Sequence, residues 1–173
     1  MGDLLALYQA PVLESQGFGG MPLLRPYRTK ATNTLYTLMD HMWYRDKAGN
    51  YWWSPKGMLT DLASIPHIVD GVFINVETRA PGAIHDGIYM LSCVTGVKRE
   101  TADLLFREMS AYMGANGVQA DLLKAGLAVG GWHSWNECQS AGVTWDDFDV
   151  TVLDDAEIAD YRERFKIPDL KVA

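Results

Sequence analysis

The sequence predicts a single α+β domain: an N-terminal β-hairpin or small antiparallel sheet packed on a bundle of about three helices, with an acidic C-terminal extension. Three observations lead there. Strand-forming aromatic and β-branched residues crowd positions 34–61 on both sides of a turn sequence. From Pro81 onward, apolar residues recur at helical spacing in three successive runs, the first two closed by glycine. No repeat, low-complexity tract or linker divides the 173 residues, a length that suits one core. The organisation reads as an irregular arm over 1–30, a motif-bearing core over 31–137 and an acidic extension over 138–173.

Taken in order, "QGFGGMPLLRPYRT" in the arm is punctuated by Gly and Pro and suits irregular chain or one short strand. "RDKAGN" supplies turn chemistry through Asp46, Gly49 and Asn50, so strands are expected near 34–45 and 50–54, with a short extended piece at 57–61. Pro55 and Gly57 mark a bend or a sheet edge. A first helix fits 81–93, with Pro81 in its first turn and Gly96 beyond its end. A second fits 98–113, where Leu105, Met109 and Tyr112 share a face and Gly114 and Gly117 stop it. A third fits 118–137, weakened at Gly130-Gly131. The tail offers a strand at "DFDVTVL" and a helix at "DAEIADYRERF", capped by Asp154 or Asp155 and ended by Pro168.

Composition excludes several classes. Hydrophobic residues are 48% and charged residues 21%, too apolar a mixture for a disordered chain. No apolar run reaches the roughly 18 residues of a membrane span, so no stable membrane insertion is expected. "MGDLLALYQAPVLESQ" lacks the basic start of a signal peptide, and Ala6 stands where myristoylation wants Ser or Thr. The formal charge of −7 opposes nonspecific nucleic-acid binding, which needs clustered cations. Thr144–Tyr161 carries Asp146, Asp147, Asp149, Asp154, Asp155, Glu157 and Asp160 without a cation, as expected of a solvated face or, in a functional reading, a docking surface for a basic partner. It does not have the spacing of an EF-hand. Cys93 and Cys138 read as two reduced thiols of a cytoplasm-made protein. Six Trp and eight Tyr imply large packed surfaces or an interface.

The chemistry concentrates in two stretches, "TDLASIP" and "AIHDGIY". On a helix, His85 and Tyr89 are four apart and share a face, while Asp86 lies about 100° round. A short connection makes the second helix antiparallel to the first and brings Asp103 level with the His85–Tyr89 pair. A carboxylate there fixes the imidazole tautomer and raises its basicity, which a general base or a metal ligand needs. Asp86 offers a hard oxygen ligand, and Asp61 a second carboxylate or ligand. The candidate catalytic set is therefore His85, Asp103, Asp86, Tyr89 and Asp61. Asp61, His85 and Asp86 are the candidate ligands of a divalent cation, calcium or zinc. Thr60, Asp61 and Ser64 also suit a turn closed by Pro66. Ser64 lacks the flanking glycines of a nucleophile elbow.

The string "HDGIY" resembles the His-Asp-x-x-Tyr helix of the secreted phospholipases A2, whose antiparallel helix places a carboxylate behind the His. Their preceding cysteine pair, glycine-rich calcium loop and disulfides are absent, so the resemblance is one of arrangement. "GMLTDLASIP", "AIHDGIY", "KRETADLLFREMS" and "GGWHSW", in that order, resemble a family of phage and prophage proteins, the domain-of-unknown-function family 1353. The resemblance covers about residues 30 to 135 and marks Thr60, Asp61, Ser64, Pro66, His85, Asp86, Tyr89, Asp103 and Phe106. It implies a bacteriophage or prophage origin.

Among the other histidines, His133 sits between Trp132 and Trp135 and suits a partly buried, hydrogen-bonded role, with a His133–Glu137 zinc pair as the alternative. His41 and His67 have no marked partner in the sequence. Two functions fit. One is a small hydrolase acting on the host envelope, on peptidoglycan or phospholipid, with His85 as base or ligand. The other is a structural tail or baseplate component whose His-Asp-Tyr-Asp set is a buried network. The combined expectation is a phage protein made in the host cytoplasm and virion-associated, with other virion proteins as partners and a hydrolase-like site.

Overall fold

A computed structural model describes residues 11–29, 34–62 and 77–168, with backbone only at 28–29, 128–130 and 132–134. Among the described residues, six strands come first: β1 (Gly17–Phe18), β2 (Leu24–Thr29), β3 (Thr34–Leu38), β4 (Met42–Arg45), β5 (Tyr51–Ser54) and β6 (Leu59–Thr60). Helices α1 (Arg79–Thr95), α2 (Arg99–Tyr112) and α3 (Gly117–Ala141) follow, then two 3-10 turns and α4 (Asp155–Phe165). The α+β class is as the sequence predicts.

The strands form two three-stranded antiparallel sheets, ordered β1-β4-β5 and β2-β3-β6. The expected strand over 34–45 is thus two strands, one in each sheet. The break falls at Asp40, whose carboxylate accepts the His41 N–H at 2.7 Å and diverts it from a ladder. The β4–β5 hairpin sets Trp43 opposite Trp53 and Arg45 opposite Tyr51. Its turn runs as "RDKAGN" predicts. Gly49 takes φ +88°, and the Asp46 carboxylate accepts from the Asn50 N–H, the Asn50 amide and the Trp52 indole at 2.8–3.0 Å.

Helix α1 is buried along most of its length, wedged between β5 and the other helices. Two glycines permit this. A Cβ on Gly87 would lie 2.8 Å from the Ser54 Cβ, and one on Gly82 would strike the Leu62 backbone. The Ser54 hydroxyl then donates to the Ala83 carbonyl at 2.8 Å, tying the strand to the helix. Helix α3 begins at an Asn116–Gln119 capping box and runs unbroken across Gly130-Gly131, so the expected weak point does not interrupt it. The tertiary contacts of α3 with α1 and α2 hold the ladder together despite low local propensity.

The C-terminal region departs from expectation in two ways. "DFDVTVL" is no strand. Trp145–Asp147 and Val150–Val152 are 3-10 turns, and Phe148 makes a lone bridge to Met58. Local side-chain bonds prevail: Asp147 accepts from the Thr144 N–H, and Asp149 from the N–H and hydroxyl of Thr151. Nor is the acidic segment solvated throughout: Asp146, Asp154 and Asp155 are exposed, but its other acidic residues are packed. Phe148, Tyr161, Phe165 and Ile167 belong to the core. Asp149, 3% exposed, takes Arg25 and Thr37. Glu157 binds Lys56 at 2.9 Å, Asp160 binds Arg164, and Asp154 caps α4. The cations missing from the segment come from β2, the 55–58 turn and the next helical turn.

Candidate functional site

His85 and Tyr89 occupy one side of α1, their rings 4.1 Å apart, and α2 runs against that side. His85 Nε2 lies 3.1 Å from Asp103 Oδ1, and the Tyr89 hydroxyl donates to the same oxygen at 2.6 Å. The juxtaposition expected from helical spacing is therefore present. Phe106, fully buried one turn further along α2, meets the His85 ring edge-on at 5.2 Å. His85 itself is 2% exposed.

Arg99 completes the network, though nothing in the sequence motifs singles it out. Its Nε lies 3.3 Å from the Tyr89 oxygen and 3.7 Å from Asp103 Oδ2, and its Nη2 donates to the Leu127 carbonyl of α3 at 2.9 Å. The Arg99–Asp103 spacing of four was the signal available. Gly131 is a second such residue. A Cβ there would sit 2.9 Å from the Tyr89 hydroxyl, so the glycine read as a helix weakness makes room for the tyrosine. Trp135 closes that side, edge-on to Tyr89 at 4.9 Å.

The remaining imidazole nitrogen, Nδ1, is buried without a hydrogen-bond partner among the described residues. Asp86 Oδ1 is 3.8 Å away, close enough for charge attraction and too far for a direct hydrogen bond. The other oxygen of Asp86 accepts the Thr60 hydroxyl, which also receives the Leu62 N–H at 2.9 Å. Leu62 holds φ +65°, a left-handed conformation costly for a branched side chain, where the chain turns against α1. Asp61, half-buried, lies between these residues. Ser64, Pro66 and His67 lie outside the described residues, as does the His133 side chain. Among the described residues no three His, Cys, Asp or Glu side chains converge to hold a metal ion, so the expected Asp61–His85–Asp86 ligand set is not assembled. One oxygen of Asp86 is taken by Thr60, and His85 Nε2 is taken by Asp103.

Electrostatics give each group a state. Burial pushes His85 toward neutrality, but Asp103 and Asp86 outweigh it and hold its pKa above the ordinary 6.5. Asp103 is pushed up by burial, yet the His85 and Tyr89 bonds and the Arg99 charge hold it below the usual carboxylate range. Tyr89 is pushed up by burial and by Asp103, so it stays a phenol and a donor. The result is an ionised carboxylate held by two hydrogen-bond donors and the nearby Arg99 charge, with one imidazole nitrogen left to gain or lose a proton.

His41 behaves oppositely, and it does have partners. Its Nδ1 accepts from the Trp53 indole at 3.3 Å and the Lys56 N–H at 3.1 Å. Burial lowers its pKa despite Glu157 and Asp40. A depressed folded pKa means that protonation favours the unfolded chain, so stability is lost as pH falls below 6.5. In urea titrations from pH 7 to pH 5, wild type is expected to lose more stability than His41→Asn, whose amide oxygen accepts without titrating.

A groove of about 500 Å³ opens on another side of α1, between Ile88 and Leu91 and a wall of Trp43, Trp52 and Trp53. None of the motif residues lines it.

Fold and centre together define an α+β domain whose antiparallel helix pair shares a buried His-Asp-Tyr-Arg network. A family model described as a protein of unknown function, DUF1353, matches residues 36–126, and the chain belongs to that family. The matched span includes Thr60, Asp61, His85, Asp86, Tyr89, Arg99, Asp103 and Phe106 and stops short of Gly131. No curated protein and no solved structure matches the chain.

Proposed function

We propose that the protein is a bacteriophage virion-associated component carrying a His/Asp hydrolase site that acts on the host envelope, on an ester or amide of phospholipid or peptidoglycan. The observation that supports this reading is the asymmetry of His85. Asp103, itself held by Tyr89, locks Nε2, while Nδ1 has no hydrogen-bond partner among the described residues and lies beside a second carboxylate, Asp86. A base needs a fixed tautomer and one nitrogen free for the reacting proton. In the proposed step, Nδ1 takes a proton from water as its oxygen adds to the carbonyl carbon. The bond to the leaving group then breaks, and the same proton passes from Nδ1 to that group. The phage assignment rests on the family resemblance, and other virion proteins are the proposed partners.

A second reading is favoured by the 2% exposure of His85: a structural tail or baseplate component in which the network fixes helix packing. Cell-wall zymograms and phospholipid-vesicle hydrolysis, run on wild type and His85→Asn beside equilibrium unfolding, separate the two. The hydrolase reading expects turnover that drops on the order of a hundredfold or more in a folded variant. Absence of turnover in wild type on both substrates, with a large stability loss in the variant, would leave the structural reading.

A further inference from the structure

We propose that Arg99 is a positioning residue for His85, acting through Tyr89 and Asp103 and anchored on the backbone of α3. The inference deepens the proposed base role of His85 and rests on that reading only for its catalytic meaning. Its geometric basis is the use of every oxygen in the cluster. Asp103 Oδ1 receives both His85 Nε2 and the Tyr89 hydroxyl, and Arg99 Nε stands 3.7 Å from Oδ2. The Tyr89 oxygen accepts from Arg99 Nε at 3.3 Å, which directs its own O–H toward Asp103. The Leu127 carbonyl holds the far end of the guanidinium at 2.9 Å. Arg99 is buried enough, 14% exposed on its side chain, for its charge to be weakly screened.

The groups set against His85 are Asp86 and Tyr89 on α1 and Asp103 and Arg99 on α2, while β6 contributes Thr60 on the Asp86 side. Arg99 is the cation of this set. It keeps Asp103 ionised without letting that carboxylate draw a proton from His85, so the travelling proton is confined to Nδ1. It also opposes the charge on His85, so that the imidazole releases its proton nearer neutral pH than an isolated His–Asp pair would. A fork of donors reaching acceptors on two other helices while its charge stands beside Asp103 suits arginine.

The test is a pH titration of the His85 ring nitrogens by NMR in the full-length protein, for wild type, Arg99→Met, Arg99→Gln and Arg99→Lys. The methionine variant removes the charge and is expected to raise the His85 midpoint, by roughly threefold or more in proton affinity. Arg99→Gln, which keeps a polar group and folds more readily, is expected to move the same way and serves where the methionine variant is unfolded. Arg99→Lys restores a cation and is expected to bring the midpoint back toward wild type. An unchanged or lowered midpoint in the two neutral variants, or a lysine variant displaced as far as they are, would overturn the role. No substrate enters the titration, so a failure of the hydrolase reading does not touch it.

Discussion

Replacing Asp103 with alanine is expected to cost the fold about 3–5 kcal/mol, the range for stripping one partner from a buried ion pair. Asp103 is 8% exposed on its side chain, and its removal strands the Tyr89 hydroxyl and Nε2 of a His85 that is 2% exposed. The pH dependence makes the test specific. In wild type the folded pKa of His85 is raised, so its stabilisation is fully present below 6.5 and is lost as pH rises through the folded value. Without Asp103, burial dominates, and a protonated His85 then opposes folding. The gap between wild type and Asp103→Ala should therefore widen as pH falls from 8 toward 6. A gap that stays constant, or narrows on acidification, would mean that His85 and Asp103 do not share a proton-dependent bond.

The second large effect is expected at Phe106. Its side chain is fully buried and stands edge-on to the imidazole. Phe106→Ala removes a ring from a space that α1 and α2 cannot close, because Asp103 and Arg99 pin the helices at that level. The cost should be about 3–5 kcal/mol, against about 1 kcal/mol for the volume-sparing Phe106→Leu. Denaturant unfolding of both variants measures it. A loss under about 1 kcal/mol in the alanine variant would show that Phe106 fills no essential space.

Periodicity made the centre legible. Two residues four apart on one helix and a carboxylate at matching height on its antiparallel neighbour are facts of helix geometry, and they place His85, Tyr89 and Asp103 together. The turn at Asp46–Asn50 was legible for a similar reason, since its chemistry is local. What stayed hidden depends on packing. Gly131 reads as a flaw in a helix until a tyrosine from another helix is known to press on it. Arg99 looks like a surface charge at a helix start until the Leu127 carbonyl comes within its reach. The acidic tail looks solvated because its cations lie far off in sequence: Arg25 meets Asp149, and Lys56 meets Glu157. The expected strand at 147–153 gave way because alternation of apolar residues cannot report on Asp149 bonding its own neighbours. The surroundings of Asp86 are equally hidden: it adjoins His85 in sequence, yet one of its oxygens goes to Thr60, and among the described residues no third ligand joins the two.

The claim on which the account turns is that His85 holds Asp103 through Nε2 and keeps Nδ1 for the exchanging proton. Nitrogen-detected NMR of histidine-labelled protein across pH 5 to 9 reads this directly. Nε2 is expected to keep its hydrogen throughout while Nδ1 titrates, with a midpoint above 6.5. A ring whose Nδ1 stays protonated while Nε2 titrates, or a midpoint below that value, would contradict it.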